Sequence, residues 1–256
     1  AETLRYATTR AAEVVLKYYA RQLHALEHEL SLSDRHSEVT VELVELASKG
    51  HNDVPSRADE PYRRAVHGIR GRIMATMAQL IGPNSVEGTW FKVHEPYKSP
   101  EDFTADLNVI DASLRVANDQ LIADDRLARI RAAAASFGFH LYSMDLRQNS
   151  DSYEEILTEV FAVAHICDDY SALSEEQKRE LLLAELASPR PIIPARGCNF
   201  SEATQRELDI IAEAARAIDR FGHRMIPHSI ISMATSVSDI LEPMILLKEF
   251  GIIQAD

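Results

Sequence analysis

The residue with the clearest potential for chemistry is an arginine near the end of an apolar run, because a charged side chain in such a run needs a ligand or an ion-pair partner. The run is FHLYSMDLRQNS, residues 139–150. Read as a strand, it alternates two sets of side chains on opposite faces. One face carries Leu141, Ser143, Asp145 and Arg147, and the other carries His140, Tyr142, Met144 and Leu146. The planar guanidinium group of Arg147 suits a phosphate or a carboxylate ligand, and the alternative is a structural ion pair with Asp145.

A second pattern with possible chemistry is HALEH, residues 24–28, which matches the His-x-x-Glu-His arrangement of some zinc enzymes. His24 and His28 are one helical turn apart and are able to share a metal ion. No third ligand is marked by the sequence. Leucines at helical spacing around the motif favour the alternative, the solvated face of an amphipathic helix.

A basic cluster interrupts an otherwise acidic chain; it consists of Arg63, Arg64, His67, Arg70 and Arg72. We interpret the cluster as a solvated helix face with local ion pairs, or as a subunit contact. Gly68 and Gly71 lie within the same segment, where we expect them to allow close helix packing.

The composition narrows the class of protein. The chain has 256 residues and is 46% hydrophobic, so it can bury a sizeable core. Its 27 Lys+Arg and 40 Asp+Glu give a net charge of −13, which disfavours nucleic acid as a partner. Cys167 and Cys198 are too few for a disulfide framework, so we expect free thiols in a reducing cytoplasm. We find no signal peptide and no apolar run of about 18 residues, and so expect no membrane partner.

Helices dominate the predicted elements, and good strand patterns occur at about 139–147 and 228–234. A capping box at Ser174 and Gln177 predicts a helix over 175–187. Ile252 and Ile253 resemble the start of a third strand. Strands joined by helices indicate parallel pairing, as in an α/β barrel or a doubly wound sheet. Two strands and the start of a third cannot close a barrel of about eight strands, so we expect the chain to be part of a larger protein.

Four segments resemble the phosphoenolpyruvate carboxylase family, and their order and spacing agree along nearly the whole chain. They are FGFHLYSMDLRQNSD, HSIISMATSVSDILEPMILLKEFGI, EPYRRAVHGIRGRIMAT and LSEEQKRELLLAELASPRPI. The match looks closest to actinobacterial members. The resemblance implies a mostly α-helical chain with a partial α/β barrel: a helical region at 1–136, then a segment at 137–256 with the first two strands and the start of the third of an eight-stranded (βα)8 barrel.

The resemblance also implies an activity. Family members convert phosphoenolpyruvate and bicarbonate to oxaloacetate and phosphate, require Mg²⁺ or Mn²⁺, use no biotin, and form cytoplasmic, allosteric homotetramers. Arg147 matches the family's strand-end arginine at the phosphate site, and Gln148 is a candidate second substrate contact. The family's metal ligands and remaining catalytic residues lie outside this segment, so we expect the chain alone to be inactive. Asn149 stands where the family usually has Glu.

Two alternatives belong to other functional classes. The chain is a non-catalytic scaffold or oligomerisation module in the first, with Glu185 and Arg190 as subunit contacts. It is a zinc hydrolase built on His24 and His28 in the second.

Overall fold

The computed structural model describes residues 1–52, 54–193 and 199–253. The chain divides into two compact units. We call Thr8–Tyr142 the helical unit, and Ser143–Asp256 together with Ala1–Ala7 the strand unit. Cys198 lies outside the described residues, whereas Cys167 is a half-buried free thiol. No helix of the described residues is long and apolar enough to cross a membrane.

In the described residues, six α-helices precede the first strand. They are α1 Glu2–Glu29, α2 Val41–Ser48, α3 Pro61–Leu80, α4 Pro100–Val116, the short α5 Gln120–Ile122 and α6 Ala128–Phe137. Thr40 and Ser99 cap α2 and α4, because each hydroxyl accepts a bond from a backbone N–H three residues later. Pro61 occupies the first turn of α3, where its missing N–H costs nothing.

The core of the helical unit is formed by apolar stripes that recur at helical spacing. Its fully buried side chains include Leu16, Tyr19, Leu23, Tyr62, Ile69, Ile73 and Phe103. The hydroxyl of Tyr19 donates to the carbonyls of Ala133 and Gly138, at 3.1 and 2.9 Å. This buried phenol therefore ties α1 to the end of α6.

Gly68 and Gly71 both sit at close contacts, as predicted, but with different neighbours. A Cβ atom on Gly68 would lie 2.7 Å from the Cα of Gly50, just after α2. A Cβ on Gly71 would overlap the ring of His94 instead. Gly68 thus serves helix packing, and Gly71 makes room for a buried imidazole.

We expect Gly68→Ala to destabilise the chain. Its neighbour at Gly50 is backbone, which cannot move aside as a flexible side chain would. Overpacking costs about 1–3 kcal/mol, which outweighs the gain of up to about 1 kcal/mol from replacing a helical glycine. Urea denaturation should show a net loss of up to about 2 kcal/mol. An unchanged midpoint would mean that α2 and α3 separate without cost.

The described part of the strand unit contains a two-stranded parallel sheet and four α-helices. Its elements are β1 Asp145–Asn149, α7 Ser150–Val163, α8 Glu175–Ala187, α9 Glu202–Phe221, β2 His228–Ser232 and α10 Ser238–Glu249. Asp145 pairs with His228, Arg147 with Ile230 and Asn149 with Ser232. The helix predicted over 175–187 is confirmed, and Ser174 and Gln177 form its capping box.

The first strand begins later than the predicted 139–147. Gly138 and Leu141 both have left-handed backbone, with φ of 47° and 67°. The N–H of Leu141 donates to Phe137 O at 2.9 Å, so the chain turns back on the end of α6. A strand cannot continue through such a turn. The predicted alternation therefore holds only from Asp145 onward.

The second strand ends at Ser232, before the predicted residue 234, because Met233 has φ of 65°. The predicted start of a third strand is wrong for the described residues. Gly251 has φ of 71°, and the N–H groups of Gly251 and Ile252 donate to carbonyls of Lys248 and Leu247 at the end of α10. These backbone groups close the helix end, so Gly251 forms a turn and Ile252 and Ile253 form bends.

Candidate functional site

The candidate site is the open face of the β1–β2 sheet. Arg147 lies on this face with Asp145, and its side chain is 73% exposed. His228 and Ile230 on β2 are the register partners of these two residues and are also exposed. The parallel pairing therefore places a guanidinium, a carboxylate and an imidazole on one accessible surface.

The Arg147 guanidinium makes only a weak ion pair with Asp145. Its Nη2 atom lies 3.8 Å from Asp145 Oδ2, and the other oxygen of Asp145 lies 3.2 Å from His228 Nδ1. An exposed ion pair at such a distance stabilises by about 0–1 kcal/mol at most. The guanidinium fork is thus available to a stronger anionic ligand.

Gln148 points to the opposite face of β1. Its Nε2 donates to Glu207 Oε2 on α9 at 2.9 Å, and its Oε1 accepts from the N–H of Asn149 at 2.8 Å. The structure therefore brings Arg147 and Asp145 together but does not bring Gln148 to them. The link to Glu207 was missed in the sequence, because its partners are 59 residues apart and no local pattern marks them.

Comparison with known proteins decides the family. The sequence profile of one family, described as phosphoenolpyruvate carboxylase, matches residues 1–256. The chain belongs to the phosphoenolpyruvate carboxylase family. The sequence resemblance is thereby confirmed over the whole chain.

Several phosphoenolpyruvate carboxylases are similar in sequence. Those of Corynebacterium glutamicum and Corynebacterium efficiens are 64% and 60% identical over 256 residues, which is 100% of this chain and 28% of each relative. That of Mycolicibacterium paratuberculosis is 45% identical over 255 residues, 27% of its length. The chain thus spans a little over a quarter of these actinobacterial relatives.

Asn149 has a local structural role at the start of α7. Its Oδ1 accepts from the N–H of Asp151 at 3.3 Å and caps α7. Ser150 Oγ donates to Met233 O at 3.2 Å, just after β2. These bonds fix the carboxyl end of β1, two residues beyond Arg147.

Glu185 and Arg190, the predicted subunit contacts, are paired within the chain. Arg190 Nη2 lies 2.7 Å from Glu185 Oε1, and Glu185 is buried. Lys248 donates to the carbonyls of Glu185 and Ser188. The carboxylate of Glu249 accepts hydrogen bonds from the backbone N–H groups of Ile192 and Ile193, in the segment after α8, both at 2.9 Å. The end of α10 therefore holds the segment after α8, and a subunit role for Glu185 and Arg190 stays a prediction.

The residues of HALEH make ring contacts and ion pairs, and their arrangement does not favour a zinc site. The rings of His24 and His28 are 4.9 Å apart. Glu27, which is 5% exposed, instead accepts from His67 Nδ1 and Arg70 Nη1 at 3.0 and 3.1 Å. Among the described residues, no group of three or more His, Cys, Asp or Glu is arranged to hold a metal ion.

The carboxylate of Glu27 is the anion at the centre of the basic cluster. Arg57 is a further cation beside it, with Nη1 3.9 Å from Glu27 Oε1. Burial raises the pKa of Glu27, but the bonds and charges of His67 and Arg70 outweigh burial and leave it lowered. Burial and then the charge of Arg70 lower the pKa of His24. The predicted local ion pairs are confirmed, since Arg63 also pairs with Glu60, and Arg72 with Asp106.

A cavity of about 410 Å³ lies within the helical unit. Its charged lining residues are Lys49, Arg72, Glu95 and Asp106. Arg72 is bonded to Asp106 at 2.8 Å and stacks on Tyr97. The two cations and two carboxylates balance, so the formal charge of these side chains does not favour an anionic ligand.

Proposed function

We propose that this chain is an internal segment of an enzyme that converts phosphoenolpyruvate and bicarbonate to oxaloacetate and phosphate, and that Arg147 binds the substrate phosphate. The observation that carries the proposal is the accessible guanidinium of Arg147 on the open face of β1, in a chain whose whole length matches the carboxylase family. In this proposal residues 1–136 are a helical region, and 137–256 contribute β1 and β2 to an eight-stranded barrel.

Competition between Asp145 and a phosphate favours the phosphate. The 3.8 Å contact with Asp145 is exposed and worth about 0–1 kcal/mol at most. A phosphate ester carries up to two negative charges and accepts two parallel N–H bonds from one guanidinium. Because the single 3.8 Å contact with Asp145 lacks this paired geometry, Arg147 exchanges Asp145 for the ligand at little cost.

The proposed reaction places negative charge where Arg147 can neutralise it. An oxygen of bicarbonate attacks phosphorus, and the bond from phosphorus to the enol oxygen breaks. Carboxyphosphate and the enolate of pyruvate result. The bond from the carboxyl carbon to the bridging oxygen of carboxyphosphate then breaks, which gives CO₂ and a phosphate that keeps the proton of bicarbonate. The enolate carbon attacks the CO₂ and forms oxaloacetate. A fixed guanidinium beside the phosphoryl oxygens stabilises the charge that grows during transfer.

Other features of the proposed enzyme come from the resemblance to its family. Mg²⁺ or Mn²⁺ supplies further charge neutralisation when bound. The described residues offer no cluster of metal ligands, so we assign the metal to other parts of the enzyme and route no step through it. We also propose a cytoplasmic homotetramer without biotin. A substrate contact by Gln148 stays a prediction. Its bond to Glu207 indicates that Gln148 also positions the end of β1.

We expect the 256-residue chain alone to be inactive, because the proposed reaction needs catalytic groups from other parts of the enzyme. The purified chain should yield no oxaloacetate in an assay coupled to reduction of that product, with the full-length enzyme as the positive control. Metal-dependent oxaloacetate production by the chain would contradict the assignment of the missing groups to other segments.

A further inference from the structure

Glu242, which the proposed reaction does not use, is a fully buried carboxyl group in the strand unit. It lies on α10, and its relative exposure is 0%. The hydroxyl of Tyr170, in the turn before α8, donates to Glu242 Oε1 at 2.9 Å. No group of the described residues bonds to Oε2. Burying an ionised carboxylate with one unsatisfied oxygen is costly, so this site favours the neutral acid.

The charges around Glu242 are unfavourable for its ionisation. Glu154 on α7 and Asp239 on α10 are negative neighbours, and Glu175 lies at the start of α8. Lys178 on α8 is the nearby cation, but its Nζ is bonded to Glu154 Oε1 at 2.8 Å. The helix α9 contributes apolar side chains, Leu208 and Ile211, to the same core. The negative charges near Glu242 therefore outnumber the positive charge of Lys178, which is already paired with Glu154.

The carboxylates near Glu242 have other structural duties. Asp239 Oδ2 accepts from the N–H groups of Thr235 and Ser236, at 2.7 and 2.8 Å. Glu175 accepts from both the N–H and the hydroxyl of Ser238, at 3.0 and 2.7 Å. These bonds keep Asp239 and Glu175 ionised and organise the loop between β2 and α10.

We propose that Glu242 makes the packing of α10 against α8 depend on proton concentration. The carboxyl group is neutral in the packed state and free to ionise when α10 opens. This role is independent of the proposed catalytic function, since it concerns the stability of the strand unit.

Burial, then the charges of Glu154 and Asp239, raise the pKa of Glu242 to about 7, against the opposing bond from Tyr170. An exposed glutamate has a pKa of about 4.3. Between these values the opened state releases a proton that the packed state keeps, so the packed state binds more protons. The contribution of Glu242 to the stability of the packed state is complete below about pH 4.3. Above that pH the equilibrium constant for packing falls about tenfold per pH unit, and the fall levels off near pH 7.

Hydrogen exchange of the full-length protein that contains this chain tests the proposal. Amide protection in α8 and α10 is compared at pH 5, 6, 7 and 8, corrected for the intrinsic exchange rate. We expect wild-type protection to fall about 100-fold from pH 5 to pH 8, with most of the fall between pH 5 and pH 7. Glu242→Gln, which resembles the neutral acid in shape, should remove this fall and be the more protected protein at pH 8. The exposed Glu180→Gln should follow the wild type.

Parallel pH profiles for wild type and Glu242→Gln would overturn the proposal. Tyr170→Phe gives a second readout if Glu242→Gln does not fold. Loss of the Tyr170 hydroxyl removes a bond that favours the ionised carboxylate, so the fall in protection should extend to higher pH. A Tyr170→Phe profile identical to wild type would also count against a titrating Glu242.

Discussion

Replacing Arg147 by alanine in the full-length enzyme should lower kcat/KM for phosphoenolpyruvate by about 100-fold or more, which corresponds to about 3 kcal/mol of transition-state stabilisation. The reason is the loss of the guanidinium group that we assign to the phosphate. Steady-state kinetics at saturating bicarbonate measures the effect. Values of kcat and KM within about twofold of wild type would reject the assignment.

Two further variants separate phosphate binding from general loss of charge. Arg147→Lys keeps the charge but loses the planar fork, so an intermediate loss of about tenfold is expected. Arg216→Ala is the matched control, because Arg216 is similarly exposed and pairs with Glu213 on its own helix. It should leave kcat/KM unchanged. A loss in Arg216→Ala equal to that in Arg147→Ala would indicate a non-specific charge effect.

Replacing Glu27 by alanine should produce the largest loss of stability among the charged residues of the helical unit. Its carboxylate bonds to His67 and Arg70, and removal leaves the partly buried guanidinium groups of Arg70 and Arg57 without this anion. Breaking a buried ion pair from one side costs about 3–5 kcal/mol, and the partial exposure of the cations lowers our expectation to about 3 kcal/mol. Urea denaturation of the chain measures the change.

Glu29→Ala is the control for Glu27→Ala. Glu29 lies two residues further along the same helix and pairs with Arg126, but it is largely solvated. Its loss should cost less than about 1 kcal/mol. If both variants lose the same stability, Glu27 is not the centre of the basic cluster.

Local patterns in the sequence predicted those elements whose limits depend on neighbouring residues. The capping box at Ser174 and Gln177 defined the start of α8. The shared face of Asp145 and Arg147 followed from the two-residue period of a strand. The start of β1 was missed because Leu141 adopts a left-handed conformation that an apolar alternation does not reveal.

Contacts between distant parts of the chain lay beyond the sequence patterns. The bond from Gln148 to Glu207 joins residues 59 apart, and that from Tyr170 to Glu242 joins residues 72 apart. Both carboxylates sit in helices whose amphipathic pattern predicts only burial or exposure. Their role depends on which helices become neighbours, which is a property of the tertiary fold.

The small size of the sheet has a practical consequence for work with the chain alone. In the described residues β1 and β2 pair only with each other, so each strand presents an unpaired edge. Unpaired edges are templates for association with further strands, and the exposed Ile230 adds apolar surface beside them. Chains purified at high concentration should therefore associate through these edges. Activity and stability measurements on the isolated chain need dilute samples, with light scattering to show that the chain is monodisperse.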